Sequence, residues 1–84
     1  MIKILYFASL RERLGLASEE YREAPLPGTA GELLAALCAR GASWSETLGD
    51  AAAVKIAINQ QMASIETPIG DGDEVAFFPP VTGG

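Results

Sequence analysis

Ile69-Gly70-Asp71-Gly72-Asp73-Glu74-Val75-Ala76-Phe77-Phe78-Pro79-Pro80-Val81-Thr82-Gly83-Gly84 holds a turn, a strand and a stiff stem in sixteen residues. Gly70 to Asp73 combine residues that tolerate left-handed backbone, so they predict a tight turn that launches a strand over residues 74–78. Two prolines then end the ladder, because they fix φ and favour an extended path. The glycines at the tip carry no side chain to obstruct a narrow channel. From Pro79 to Gly84 the chain can reach roughly 20 Å at about 3.3 Å per extended residue. Pro79, Pro80, Val81, Thr82 and Gly83 therefore read as a tail that carries the Gly84 carboxylate into a partner's channel. A loose terminal stub is the bland alternative, and the Phe-Phe-Pro-Pro stem weighs against it.

Working back toward the start, residues 54–59 alternate cleanly and predict a strand, Gln60-Gln61 a turn, and residues 62–65 a shorter strand blocked by Thr67-Pro68. Thr29-Ala30-Gly31-Glu32 matches a capping box in which Thr29 and Glu32 serve each other's main chain. It opens the main helix over residues 30–40, stopped by Gly41, with Leu33, Leu34, Leu37 and Cys38 as its apolar stripe. Residues 1–8 are apolar and rich in β-formers. Leu10 and Leu14, behind a Ser9 cap and before Gly15, predict one or two helical turns. Residues 19–24 read as an edge strand and 42–53 as a loop with a short turn of helix near Trp44. The sum is an α+β roll, a mixed sheet with one main helix on one face, and the β-grasp or ubiquitin-like fold is its natural form. Residues 1–78 make that domain and 79–84 the extended tail.

Side chains alternate across a strand, so the two faces can be assigned. Ile2, Ile4 and Tyr6 share a side with Val54, Ile56, Ile58, Val75 and Phe77. The opposite side carries the charges Lys3, Lys55 and Glu74, yet also Leu5, Phe7, Ala57, Ala76 and Phe78. One helix covers one side, which leaves an apolar patch of the kind that marks docking surfaces. Phe7, Leu5, Met62, Ala76 and Phe78 are its candidate contacts, beside the root of the tail. The alternative is that residues 9–14 or 42–53 fold over it.

The chain has 84 residues, 49% hydrophobic and 20% charged, which fits one small folded core. No apolar run approaches the roughly 18 residues of a membrane span, and the start lacks a leader pattern, so a cytoplasmic protein is expected. The formal charge of −5 argues against nucleic acid and anionic membrane and points to basic partner surfaces. There is no histidine to act as a near-neutral base or metal ligand. Cys38, on the helix stripe, reads as a buried small hydrophobe. The Asp71-Gly72-Asp73-Glu74 cluster lacks calcium-loop spacing and reads as a turn, so no metal site is assigned. No glycine-rich phosphate loop and no base-activated serine are present. Nothing in the chain is an enzyme by itself.

The terminal run from Asp71 to Gly84, the opening Ile2-Lys3-Ile4-Leu5-Tyr6-Phe7-Ala8 and the middle Ile58-Asn59-Gln60 resemble the small subunits of molybdopterin synthase. The resemblance implies a sulfur carrier that is not catalytic alone. Its terminal carboxylate, here on Gly84, is adenylated by a partner enzyme that uses ATP and magnesium and is then converted to a thiocarboxylate. No cofactor is bound permanently. The thiocarboxylate supplies sulfur to cyclic pyranopterin monophosphate inside the synthase large subunit, in an expected heterotetramer, during molybdenum cofactor biosynthesis. Other carriers with Gly-Gly ends leave alternatives open: thiolation for thiamine or tRNA, or ligation to lysines as a ubiquitin-like modifier.

Overall fold

A computed structural model of the chain describes residues 1–50 and 53–80. In chain order the elements are β1 (Ile2–Tyr6), α1 (Ala8–Leu14), β2 (Ser18–Tyr21), α2 (Ala30–Cys38), α3 (Ala42–Leu48), β3 (Lys55–Ile58), β4 (Gln61–Ala63) and β5 (Glu74–Phe78). They form a five-stranded sheet of order β2-β1-β5-β3-β4. β1 and β5 run parallel at its centre, and the other neighbours are antiparallel. This mixed sheet with α2 packed on one face is the β-grasp architecture that the strand and helix order predicts.

The core sits where alternation puts it. Ile2, Ile4, Tyr6, Val54, Ile56, Ile58, Val75 and Phe77 are buried on the inner face, with Ala30, Leu33, Leu34 and Leu37 of α2 against them. Cys38 is only partly buried at the margin of that core, and burial pushes its thiol pKa up, away from a reactive thiolate. Leu10 of α1 and Leu48 of α3 join the same cluster. The short turn of helix expected near Trp44 is thus a longer helix over residues 42–48. What stabilises α3 is tertiary: Leu48 is fully buried, and the Trp44 ring meets Tyr6 edge-on at 5.9 Å.

Several local readings shift. The Thr29 hydroxyl accepts from the Glu32 amide at 3.1 Å, but the Glu32 carboxylate reaches one residue further back, to the Gly28 amide at 2.7 Å. α2 ends at Cys38, and Gly41, with φ 151°, opens α3 instead of closing α2. Ser9 does not cap α1. The Phe7 amide still donates to the Phe77 carbonyl (3.1 Å), so the chain leaves the sheet abruptly at Ala8, whose φ is +53°. That left-handed conformation is unusual for a residue with a Cβ. Gly15 does end the helix in the left-handed region, its amide on the Arg11 carbonyl at 2.9 Å. The turn before β4 falls on Asn59-Gln60, with φ of 50° and 69°, one residue earlier than expected, and β4 starts at Gln61. Asn59 carries that turn because asparagine tolerates positive φ. Its side chain also donates to Asp73 Oδ1 and accepts from the Glu74 amide, both at 3.0 Å. Asp73 Oδ2 closes the 70–73 turn on the Gly70 amide at 2.8 Å.

β2 covers Ser18–Tyr21, shorter and earlier than residues 19–24, and sends Glu19 toward the helices. There Arg40 donates to both Glu19 oxygens at 2.8 Å, Tyr6 donates to Oε2 at 2.8 Å, and the Arg40 guanidinium lies 4.6 Å from the Trp44 ring centre. Burial works against the Glu19 charge, but the hydrogen bonds from Arg40 and Tyr6 outweigh it and hold the carboxyl below the usual carboxylate range. A depressed carboxylate pKa stabilises the fold at pH above its unfolded value, and the gain disappears as pH falls through the folded pKa. Glu19→Gln should therefore lower stability at pH 7 by about 1 kcal/mol, a modest figure because the pair is partly solvated. Thermal melts from pH 7 downward should show this deficit shrinking below the ordinary carboxylate range; a pH-independent deficit would assign Glu19 a packing role only.

Candidate functional site

The outer face of the sheet carries a continuous apolar row. Leu5 pairs with Ala76, Ala76 with Ala57, and Ala57 with Met62 across four strands. Side chains directly opposite on one face are about 5 Å apart, so the row is a single surface. Leu5 is half-buried, Ala76 and Ala57 are 8% and 9% exposed, and Met62 is 67% exposed. The alanines thus lie between Leu5 and Met62 in the row.

A second row lies nearer the tail. Phe7 is 44% exposed, and its ring meets Phe78 edge-on at 6.4 Å between centroids. Because β1 and β5 are parallel, both strands run out at the same end of the sheet, which puts Phe7, Phe78 and the Pro79-Pro80 stem side by side. Strand alternation alone could assign the face but not this adjacency. The helices within the two segments that could have covered the patch pack on the other side. α1 and α3 bury Leu10 and Leu48 in the core, on the side opposite Phe78. Leu5, Phe7, Met62, Ala76 and Phe78 thus share one open face at the root of the tail. Pro79 is partly buried and Pro80 exposed. Val81, Thr82, Gly83 and Gly84 lie outside the described residues.

Phe77, one residue away, faces inward. It is fully buried and stacks on Tyr6 at 6.1 Å. Among the described residues no group of three or more His, Cys, Asp or Glu side chains is placed to hold a metal ion, and no helix is long and apolar enough to cross a membrane. Strand alternation places Lys55 on the face of the patch but does not give the patch residue it adjoins. Lys55 stands opposite Phe78 in the ladder, and the Arg11 amide approaches the Phe7 carbonyl at 3.5 Å, one helical turn on. Register is the missing signal, since it depends on which strands become neighbours.

Comparison with known proteins sharpens the assignment. The model of the ThiS family matches residues 4–84. The molybdopterin synthase sulfur carrier subunit of Escherichia coli (strain K12) is 44% identical over 84 residues, which is 100% of both chains. SAMP1 from Haloferax volcanii has a similar structure, with a TM-score of 0.76 at 27% identity over 99% of this chain and 98% of that one. A chain of the complex of subunits 1 and 2 of molybdopterin-converting factor from Helicobacter pylori gives a TM-score of 0.65 at 26% identity, covering 99% and 97%. With a match that runs through both ends and the middle strand, and a relative this similar over its whole length, the chain belongs to the ThiS family.

Proposed function

We propose that this chain is the sulfur carrier subunit of a molybdopterin synthase, with Gly84 as the reacting residue. The observation that carries the reading is the parallel pairing of β1 with β5, which gathers the Phe7–Phe78 patch and the Pro79-Pro80 stem at one end of the sheet. Docking and tail insertion are then one event: the patch seats on the large subunit as the tail enters its active site. The relatives' names, sulfur carrier subunit and converting-factor subunit in complex with its partner, support that assignment.

The chemistry is supplied in steps by partners. An adenylating enzyme that uses ATP and magnesium lets a Gly84 carboxylate oxygen attack the α-phosphorus, and pyrophosphate leaves. A sulfide-level nucleophile then attacks the acyl carbon and expels AMP, giving the thiocarboxylate. At cyclic pyranopterin monophosphate the thiocarboxylate sulfur attacks a side-chain carbon whose bond to oxygen breaks, the oxygen keeping the electron pair, which gives a thioester. Water then attacks the acyl carbon, breaks its bond to sulfur and returns the Gly84 carboxylate, leaving the sulfur on the pterin. Activation is needed because a carboxylate is a poor electrophile until one oxygen becomes part of a good leaving group. The domain's own contribution is to dock reversibly and to present a slim, stiff tip.

Mass spectrometry of the chain purified from its own host tests the reading. The terminal peptide should carry sulfur in place of one oxygen, and it should transfer that sulfur when mixed with the large subunit and the pterin. A permanently unmodified carboxylate, or lysine adducts without sulfur transfer, would overturn it. The tip makes a steric prediction as well. Gly83→Val should slow single-turnover adenylation or transfer far more than Thr82→Ala, because its side chain sits beside the reacting carbonyl. Equal rates in the two variants would remove the steric role of the glycines.

A further inference from the structure

The chain's six cations are unevenly used. Arg40 is held by Glu19 and Arg22 by Glu20, while Arg13 donates to the Glu46 carbonyl. Lys3 stands between Glu20 and Glu74 in the ladder, at the end of the sheet away from the tail. Arg11 and Lys55 remain, and neither forms an ion pair among the described residues. Lys55 is at the tail end of the outer face, and Arg11 is on α1 just beyond that end of the sheet. Lys55 is opposite Phe78, and Arg11 follows Phe7 by one turn of α1. A helical side chain leans toward the N-terminal end of its helix, so Arg11 leans toward Phe7.

A net charge of −5 would by itself favour a basic partner. The local sign at the docking end is the reverse, because Arg11 and Lys55 flank the aromatic pair without an ion-pair partner among the described residues, while the acids of the outer strands, Glu20 and Glu74, lie at the far end beside Lys3. Building on the docking role proposed above, we infer that the protein receiving this face presents acidic side chains around an apolar recess, and that Arg11 and Lys55 steer the tail to the channel mouth. The apolar contacts hold the complex, and the cations orient its approach. Complementary rim charges act mainly on association, while buried anchors set dissociation.

The test is stopped-flow association with the large subunit of molybdopterin synthase as the probe, at low and high salt. Association of the unaltered chain should slow as salt rises. The double reversal Arg11→Glu with Lys55→Glu should slow it by about tenfold at low salt, invert the salt dependence, and change dissociation little. The neutral pair Arg11→Gln with Lys55→Gln should fall between, with melting curves unchanged in both. Lys3→Glu, at the far end, should have a small effect. A salt-insensitive rate for the unaltered chain, or equal slowing by Lys3→Glu and Lys55→Glu, overturns the acidic rim and leaves the carrier reading standing. No binding by the unaltered chain at any salt overturns the carrier reading and the rim together.

Discussion

Removing Gly84, or adding one residue after it, should abolish sulfur transfer while leaving the melting temperature nearly unchanged. The proposed reacting group is the terminal carboxylate, and chain termini ordinarily contribute little packing. A deletion withdraws that group by one residue's length, and an extension buries the Gly84 carbonyl in an ordinary peptide bond, which has no oxygen free to adenylate. A single-turnover sulfuration assay beside a thermal melt measures both quantities. Full activity in either variant would refute the carrier mechanism, and a large fall in melting temperature would show that the tail packs on the domain.

Phe77→Ala and Phe78→Ala should fail in opposite ways, although the residues are adjacent. Phe77 is fully buried and stacked on Tyr6. Its truncation should cost the fold about 3–5 kcal/mol, the range for a core phenylalanine. Phe78 is half-buried on the open face and touches Phe7 edge-on. Truncating it should cost the isolated domain much less and remove about 2 kcal/mol or more of binding to the large subunit, as for an aromatic anchor. Denaturant melts and titration calorimetry with the large subunit separate the two. Equal losses of stability would mean that Phe78 is a core residue, and unchanged binding by Phe78→Ala would move the docking surface elsewhere.

The division between these two phenylalanines is legible in the amino-acid order alone, because alternation along a strand is a property of the backbone itself. The same local physics makes the Thr29 cap, the Gly15 stop and the α2 stripe readable. Short-range chemistry misleads where two solutions lie one residue apart. Gln60-Gln61 looks like a polar break, yet the turn falls on Asn59-Gln60, because the tolerance of asparagine for positive φ decides the position. Ser9 has the chemistry of a cap, but the sheet bond from Phe7 to Phe77 starts the helix too early for it to act as one.

The two sheet faces, the main helix and the proline-stiffened Gly-Gly end are thus written in the chain itself, each set by residues within a few positions of one another. The parallel pairing of β1 with β5, through which Phe7 meets Phe78 at the root of the tail, comes only with the closed fold. So do the inward turn of α1 and α3 through Leu10 and Leu48, which leaves the patch open, the grip of Arg40 on Glu19, and the placing of Arg11 and Lys55 beside the aromatic pair. Most of these join residues far apart in the chain, and such pairings follow from how the whole core closes rather than from the preference of any one segment.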